Sequence, residues 1–225
     1  ISSSVVEPYN ALLATLWLTD HTEVSVMLDN EAIYELSQRK LGIKRPSFDN
    51  LNRLISKPIS AITTSLRFEG ELNVDLNELQ TKLVPFPRLH FLITSFAPLQ
   101  KPTERGCVRT DIQSTAEHCL SAQHFLLKCP DYDPEEDKML AAQLLFRGTE
   151  PTRQNRQAVN ATLQWSKSNK ILTFVEWGPT GYWAQLNERP VLMCKEDGID
   201  PLQRSGTMLA NNLCLYRFWS ERIMK

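Results

Sequence analysis

Glycine is scarce in this chain. Only eight glycines are spread over 225 residues, and none builds a GxxxxGK[ST] loop or another glycine-rich cradle. In such loops, backbone amides converge on phosphate oxygens. Their absence argues against tight nucleotide binding by this polypeptide alone. Cysteine is sparse and odd in number, with Cys107, Cys119, Cys129, Cys194 and Cys214 in separate segments and no CxxC pair. That pattern argues against zinc ligation and a disulfide framework, and for free thiols in a reducing cytosol. His21, His90, His118 and His124 show no metal-ligand spacing, so no metal site is expected. No Ser-His-Asp arrangement or nucleophile elbow is recognisable. Charge of one sign is also missing: 25 basic and 26 acidic residues leave a net charge of −1, with a pI near 6.5. Neither nucleic acid nor an anionic membrane is an expected partner. No apolar run approaches the ~20 residues of a membrane span. No signal peptide is visible, and the chain opens on Ile rather than Met, so Ile1 is not expected to be a natural N-terminus.

What is present centres on residues 46–91. Leu51, Leu54, Ile55, Ile59, Ile62 and Leu66 recur by threes and fours, which predicts one long helix with a buried stripe. Ser47 is placed to cap it, and Pro46 keeps the preceding chain extended. Pro58 falls inside this helix and costs on the order of 3 kcal/mol unless the helix bends. Gly70 breaks the pattern. Asn73 or Asp75 opens a short helix over 75–83, stopped by Pro85 and Pro87.

The remaining elements follow in chain order. A loop over 1–10 leads to a helix at 11–18, a short strand at 24–28, and a helix at 31–40 capped by Asp29-Asn30 and ended by Gly42. After a buried strand at 89–97 comes a loop over 99–110, then a helix over 111–127. The acidic stretch 131–137 reads as solvated surface. His90 reads as a satisfied core histidine. A strand at 139–146, a helix at 152–167 capped by Thr152, and a strand at 171–177 come next. Residues 182–203 read mostly as loop, before a strand at 204–209 and a helix at 211–225. The fold class is α/β, with an α+β C-terminal half.

Several strings resemble alpha-tubulin: DNEAIY at 29–34, NLNRLIS at 50–56, SLRFEGELNVDL at 65–76 and LVPFPRLHF at 83–91. The likeness begins at VVEPYN (5–10) and runs to the final helix, strongest over 1–98. It implies the end of a nucleotide-binding GTPase domain at 1–45, a central linking helix at 46–67, and an intermediate domain at 68–225. That domain would be a mixed sheet flanked by helices, truncated in its last helix. The glycine-rich GGGTGSG-like loop of tubulins is not found. The resemblance therefore implies GTP contact only through a partial base and ribose pocket, with magnesium expected only alongside the missing half. In that pocket Glu7 would accept a ribose hydroxyl, and Asn30 and Asn52 would bond the guanine edge. Phe48 would stack on the base in place of the usual Tyr. Read without the family, Asn30 is a plain helix cap and Phe48 a core residue. Glu78, with Asp75 three positions earlier on the same helix face, matches the residue that orients water for GTP held by the next subunit. The long 179–209 segment resembles the alpha-type rather than the shortened beta-type loop.

Two departures bear on assembly. In the loop matching the family's lateral contact, Gly106-Cys107 replaces a Tyr-His pair, which predicts weaker lateral contact. PDYDPEEDK at 130–138 replaces a shorter DPRHGKY-like turn. The expected role is a structural subunit of microtubules, cytoplasmic and cytoskeletal and extending to cilia, pairing longitudinally with beta-tubulin or another tubulin subunit. The alternative is a non-polymerising module bound to a microtubule or ciliary lattice; a GTPase acting on its own is disfavoured by the absent loop. The chain is also expected to leave apolar surface of the long helix uncovered when alone.

Overall fold

The computed structural model describes residues 6–68, 76–99, 111–129, 131–194, 199 and 202–222. Two helices, α1 (Glu7–His21) and α2 (Asn30–Leu41), flank the two-residue strand β1 (Ser25–Val26). Then come α3 (Phe48–Ile62), α4 (Thr64–Arg67) and α5 (Leu76–Leu83), followed by β2 (Phe91–Ala97) and α6 (Ile112–Leu120). A short 3₁₀ turn (Ala122–His124) precedes β3 (Met139–Arg147) and α7 (Arg153–Ser168). The chain ends with β4 (Gly181–Asn187), β5 (Ser205–Asn212) and α8 (Leu215–Arg222).

The strands form one mixed sheet in the order β1-β2-β5-β3-β4. Strand β1 runs parallel to β2 and β4 parallel to β3, while β5 is antiparallel to both its neighbours. Side chains alternate across the sheet, as strand geometry requires. Ile93, Ala142, Leu144, Met208 and Ala210 meet Ala116 and Leu120 of α6 and Val159 of α7 on one face. Leu92, Ala141, Leu145 and Leu209 meet Ala61 of α3 and Leu79 and Leu83 of α5 on the other. Both faces are covered, so every residue of β3 and β5 is buried. The architecture is α/β, a mixed sheet between helical layers.

Local chemistry sets several boundaries as the sequence implies. Ser47 caps α3 in a reciprocal box: Asn50 N donates to Ser47 Oγ at 3.4 Å, and Ser47 N donates to Asn50 Oδ1 at 3.0 Å. Thr152 Oγ1 accepts from Asn155 N at 3.3 Å at the start of α7. Gly42 closes α2 in the left-handed region with φ +69°. His90 is buried between the Pro87 carbonyl at 3.0 Å and the Thr22 hydroxyl at 3.2 Å.

Other boundaries differ. Helix α1 starts at Glu7 rather than 11, with Pro8 in its first turn where a missing amide costs nothing. The helix expected over 111–127 stops at Leu120, because Phe125–Leu127 are drawn onto β2: Leu126 N donates to Thr94 O at 2.9 Å. The strand expected at 171–177 reduces to a single bridge at Phe174. The strand lies instead at Gly181–Asn187, inside the stretch expected to be loop. There Tyr182, Ala184 and Leu186 face one core and Trp183 the other, a period of two that the surrounding Gly and Pro residues disguised. Strand β5 runs on to Asn212, so the last helix begins at Leu215 rather than 211. Of the acidic residues in this loop, Asp131, Asp133, Glu135 and Glu136 are exposed and Asp137 is not. That carboxylate is 1% exposed, accepts from Asp133 N at 3.0 Å and faces Arg217 Nη1 at 3.4 Å.

Helix α3 runs unbroken through Pro58 to Ile62, with Thr63 as its C-cap. Its buried side is Leu51, Leu54, Lys57, Pro58 and Ala61, while Ile59 and Leu66 of the expected stripe are exposed. Lys57 points inward because its ammonium donates to the Leu192 carbonyl at 3.1 Å. The uncovered apolar surface belongs mainly to α1, where Leu12, Leu13, Leu16 and Trp17 are exposed.

Candidate functional site

Helix α5 is anchored on one side and open on the other. Leu79 and Leu83 are buried against Ala61, Leu92 and Leu209. Asn211, buried on β5, donates through Nδ2 to the carbonyls of Leu83 at 3.1 Å and Leu89 at 2.5 Å. These two bonds fix where α5 ends and where the chain turns into β2. With that side committed to the core, Glu78 projects to solvent. Its Oε1 pairs with Lys82 Nζ at 2.5 Å, one helical turn on. The Lys82 ammonium also lies 5.6 Å from the centre of the Trp183 ring, which ties the pair to the sheet below. Asp75 lies outside the described residues. A carboxylate so placed is free to meet a second molecule and can orient water there.

The residues expected at a base pocket fall on α1, α2 and α3. Glu7 opens α1, and its side chain lies outside the described residues. Asn30 is the first residue of α2 and exposed; the cap is Asp29, whose Oδ1 accepts from Glu31 N at 3.0 Å. Phe48 begins α3 and is 75% exposed, so it is not a core residue. Asn52, also exposed, stands one turn later on the same face as Phe48. Helices α2 and α3 pack through Ile33, Leu36, Leu51 and Leu54, which places Asn30 and the Phe48–Asn52 face on adjoining helices. Among the described residues no hydrogen bond or ring contact joins the three side chains.

Sequence reasoning missed a cavity of about 480 Å³ beneath α5. Val24, Val26, Ile62, Leu79, Leu92 and Leu209 form its walls, and Glu23, Asn77 and Gln80 its rim. The signal was present only as scattered apolar residues in five segments, with nothing local to unite them. Among the described residues no group of three His, Cys, Asp or Glu side chains could hold a metal ion. No described helix is long and apolar enough to cross a membrane.

Residues 87–223 match the family model for the tubulin C-terminal domain. The chain belongs to the tubulin family. It is 40% identical over 220 residues to a tubulin alpha chain from Zymoseptoria tritici, covering 98% of this chain and 47% of that one. It is likewise 40% identical over 221 residues to a human tubulin alpha chain-like 3, covering 98% and 48%. An alpha-1 chain from Emericella nidulans gives 40% over 219 residues, covering 97% and 47%. This tubulin is thus divergent and alpha-like, and it spans about half the length of the curated relatives it matches. The covered sheet, α3 and the exposed edge of α5 are the parts of the tubulin described above.

Proposed function

We propose that this chain is a structural subunit of microtubules that pairs longitudinally with beta-tubulin, with Glu78 acting in trans on GTP held by that partner. The observation that carries the reading is the placement of Glu78, on the outer edge of a helix whose inner edge is locked to the sheet. Asp75 is its expected helper. In this reading residues 1–45 end a GTPase domain, 46–67 form the linking helix and 68–225 the intermediate domain. Glu7, Asn30, Phe48 and Asn52 contribute the base and ribose end of a pocket. A phosphate-binding loop and magnesium would belong to the other half of a full-length tubulin. The chain then resides in the cytoplasm on the microtubule cytoskeleton, including cilia, and hydrolyses GTP only within an assembly.

Co-sedimentation with assembling tubulin tests the first part: incorporation is expected, and exclusion at every ratio counts against it. Binding to beta-tubulin without pelleting would instead mark a non-polymerising module attached to the lattice. Phosphate release from copolymers tests the second part. Glu78→Gln keeps the shape but loses the base, and release is expected to slow about 100-fold. An unchanged rate removes Glu78 from the chemistry. The isolated chain is expected to retain no GTP in filter binding.

A further inference from the structure

Three guanidinium groups converge on one phenyl ring, at the end of the sheet opposite the acidic loop. The centres of Arg189, Arg67 and Arg147 lie 4.7, 4.9 and 5.8 Å from the centre of the Phe68 ring. They come from different elements: Arg67 ends α4, Arg147 ends β3 and Arg189 follows β4. Ser60 on α3 draws two of them together. Its hydroxyl accepts from Arg67 Nη2 at 2.9 Å and from Arg147 Nη1 at 3.0 Å.

Like charges placed this way repel, and among the described residues their hydrogen-bond partners are all neutral. Arg147 is buried and donates to the carbonyls of Arg189 at 3.1 Å, Pro190 at 3.0 Å and Ser60 at 3.4 Å. Burial, and after it the Arg67 charge, pushes its pKa down to about 10. Arg67 uses Nε on Thr63 Oγ1 at 3.3 Å and Nη2 on Ser60, leaving Nη1 without a partner among the described residues. The exposed Arg189 guanidinium has no hydrogen-bond acceptor among them either. Among the described residues no carboxylate stands within ion-pair distance of any of the three, the adjacent Glu188 included. The ring face offsets part of the repulsion; a counter-anion would offset more.

We propose that Arg67, Arg147 and Arg189, gathered around Phe68 and Ser60, bind a multiply charged, phosphate-type oxyanion. Arg67 and Arg189 present their unused donors from the solvent side, and Arg147 supplies fixed charge from below. One guanidinium fork satisfies a single carboxylate. Open donors on two guanidiniums, with a third charge beneath them, match a group with several oxygens and more than one charge. The site needs no partner subunit, so it stands apart from the filament reading.

The test is titration of the full chain with pyrophosphate, followed by calorimetry and thermal melting, against chloride at equal ionic strength. Saturable binding with a rise in Tm is expected. Affinity should fall at least tenfold in Arg189→Gln and in Arg67→Gln. Arg88→Gln, at the opposite end of the sheet before β2, should bind as the parent does. Arg189 is exposed, and its hydrogen bonds run through its backbone: its amide donates to Asn187 Oδ1 at 3.0 Å and its carbonyl accepts from Arg147 Nε at 3.1 Å. Arg189→Gln therefore keeps the fold and decides the question even if Arg67→Gln does not fold. No saturable heat or melting shift, or undiminished binding by Arg189→Gln, would overturn the proposal. So would tighter binding of a short oligoglutamate peptide than of pyrophosphate, which would assign the site to a polypeptide carboxylate.

Discussion

At the scale of single residues, burial decides what the titratable groups can do. His124 is buried beside Lys40, His118 and Arg39, and its pKa falls to about 3, chiefly through loss of solvent and then through those charges. The unfolded chain takes up this proton near pH 6.5, whereas the folded chain refuses it until about pH 3. Stability from this group is therefore complete above pH 6.5 and is lost as pH falls toward 3, by about 1.4 kcal/mol per pH unit. Denaturant melts of the parent and of His124→Gln across that range should diverge by this slope; parallel curves would contradict it. The thiols divide the same way. Burial pushes Cys119 up to about 12. Cys214 is also pushed up, first by its hydrogen bond with Cys129, 2.9 Å away, and then by burial. Cys194 is exposed. Peptide mapping after brief alkylation at pH 8 should find Cys194 modified well before Cys119 and Cys214. Equal labelling would mean that these thiols are not shielded. Spacing alone indicated free thiols, but it could not rank them.

At the scale of elements, caps were legible and packing partners were not. Ser47, Gly42 and Thr152 carry their structural instruction in their own chemistry. The orientation of α3 could not be read that way. Its apolar period predicted one stripe running through Ile59 and Leu66, and packing on the sheet buried Lys57, Pro58 and Ala61 instead. Packing against β2 and β3 holds the helix together past the proline, the usual way tertiary contact overrides a local breaker. Helix α5 depends on a contact from far along the chain. Asn211 holds its last carbonyl and the following turn, so Asn211→Ala should cost about 1–3 kcal/mol. Amide exchange in α5 should rise with it. A loss under about 0.5 kcal/mol would show that the leucines alone suffice.

For the whole molecule, the sheet is covered on both faces, and among the described residues the largest group of exposed apolar side chains is on α1. Val6, Tyr9, Leu12, Leu13, Leu16 and Trp17 are all exposed, which is more contiguous apolar surface than an isolated chain tolerates. The isolated chain should self-associate, and Leu13→Glu combined with Trp17→Glu should cut the sedimenting fraction severalfold. Unchanged sedimentation would place the adhesive surface elsewhere. The expectation that the long helix would leave apolar surface uncovered holds at Phe48, Ile59 and Leu66, while α2, β2 and β3 cover its buried side.

The sequence by itself determined the family likeness, the α/β class and the helix caps, because each resides in residues close together along the chain. The family resemblance also singled out Glu78. Only the tertiary structure decided that Glu78 points outward, that β4 forms within a glycine- and proline-rich stretch, and that three arginines from separate elements share one ring. Those outcomes depend on which distant segments meet. A chain read in order carries the parts of such a contact without stating that they touch.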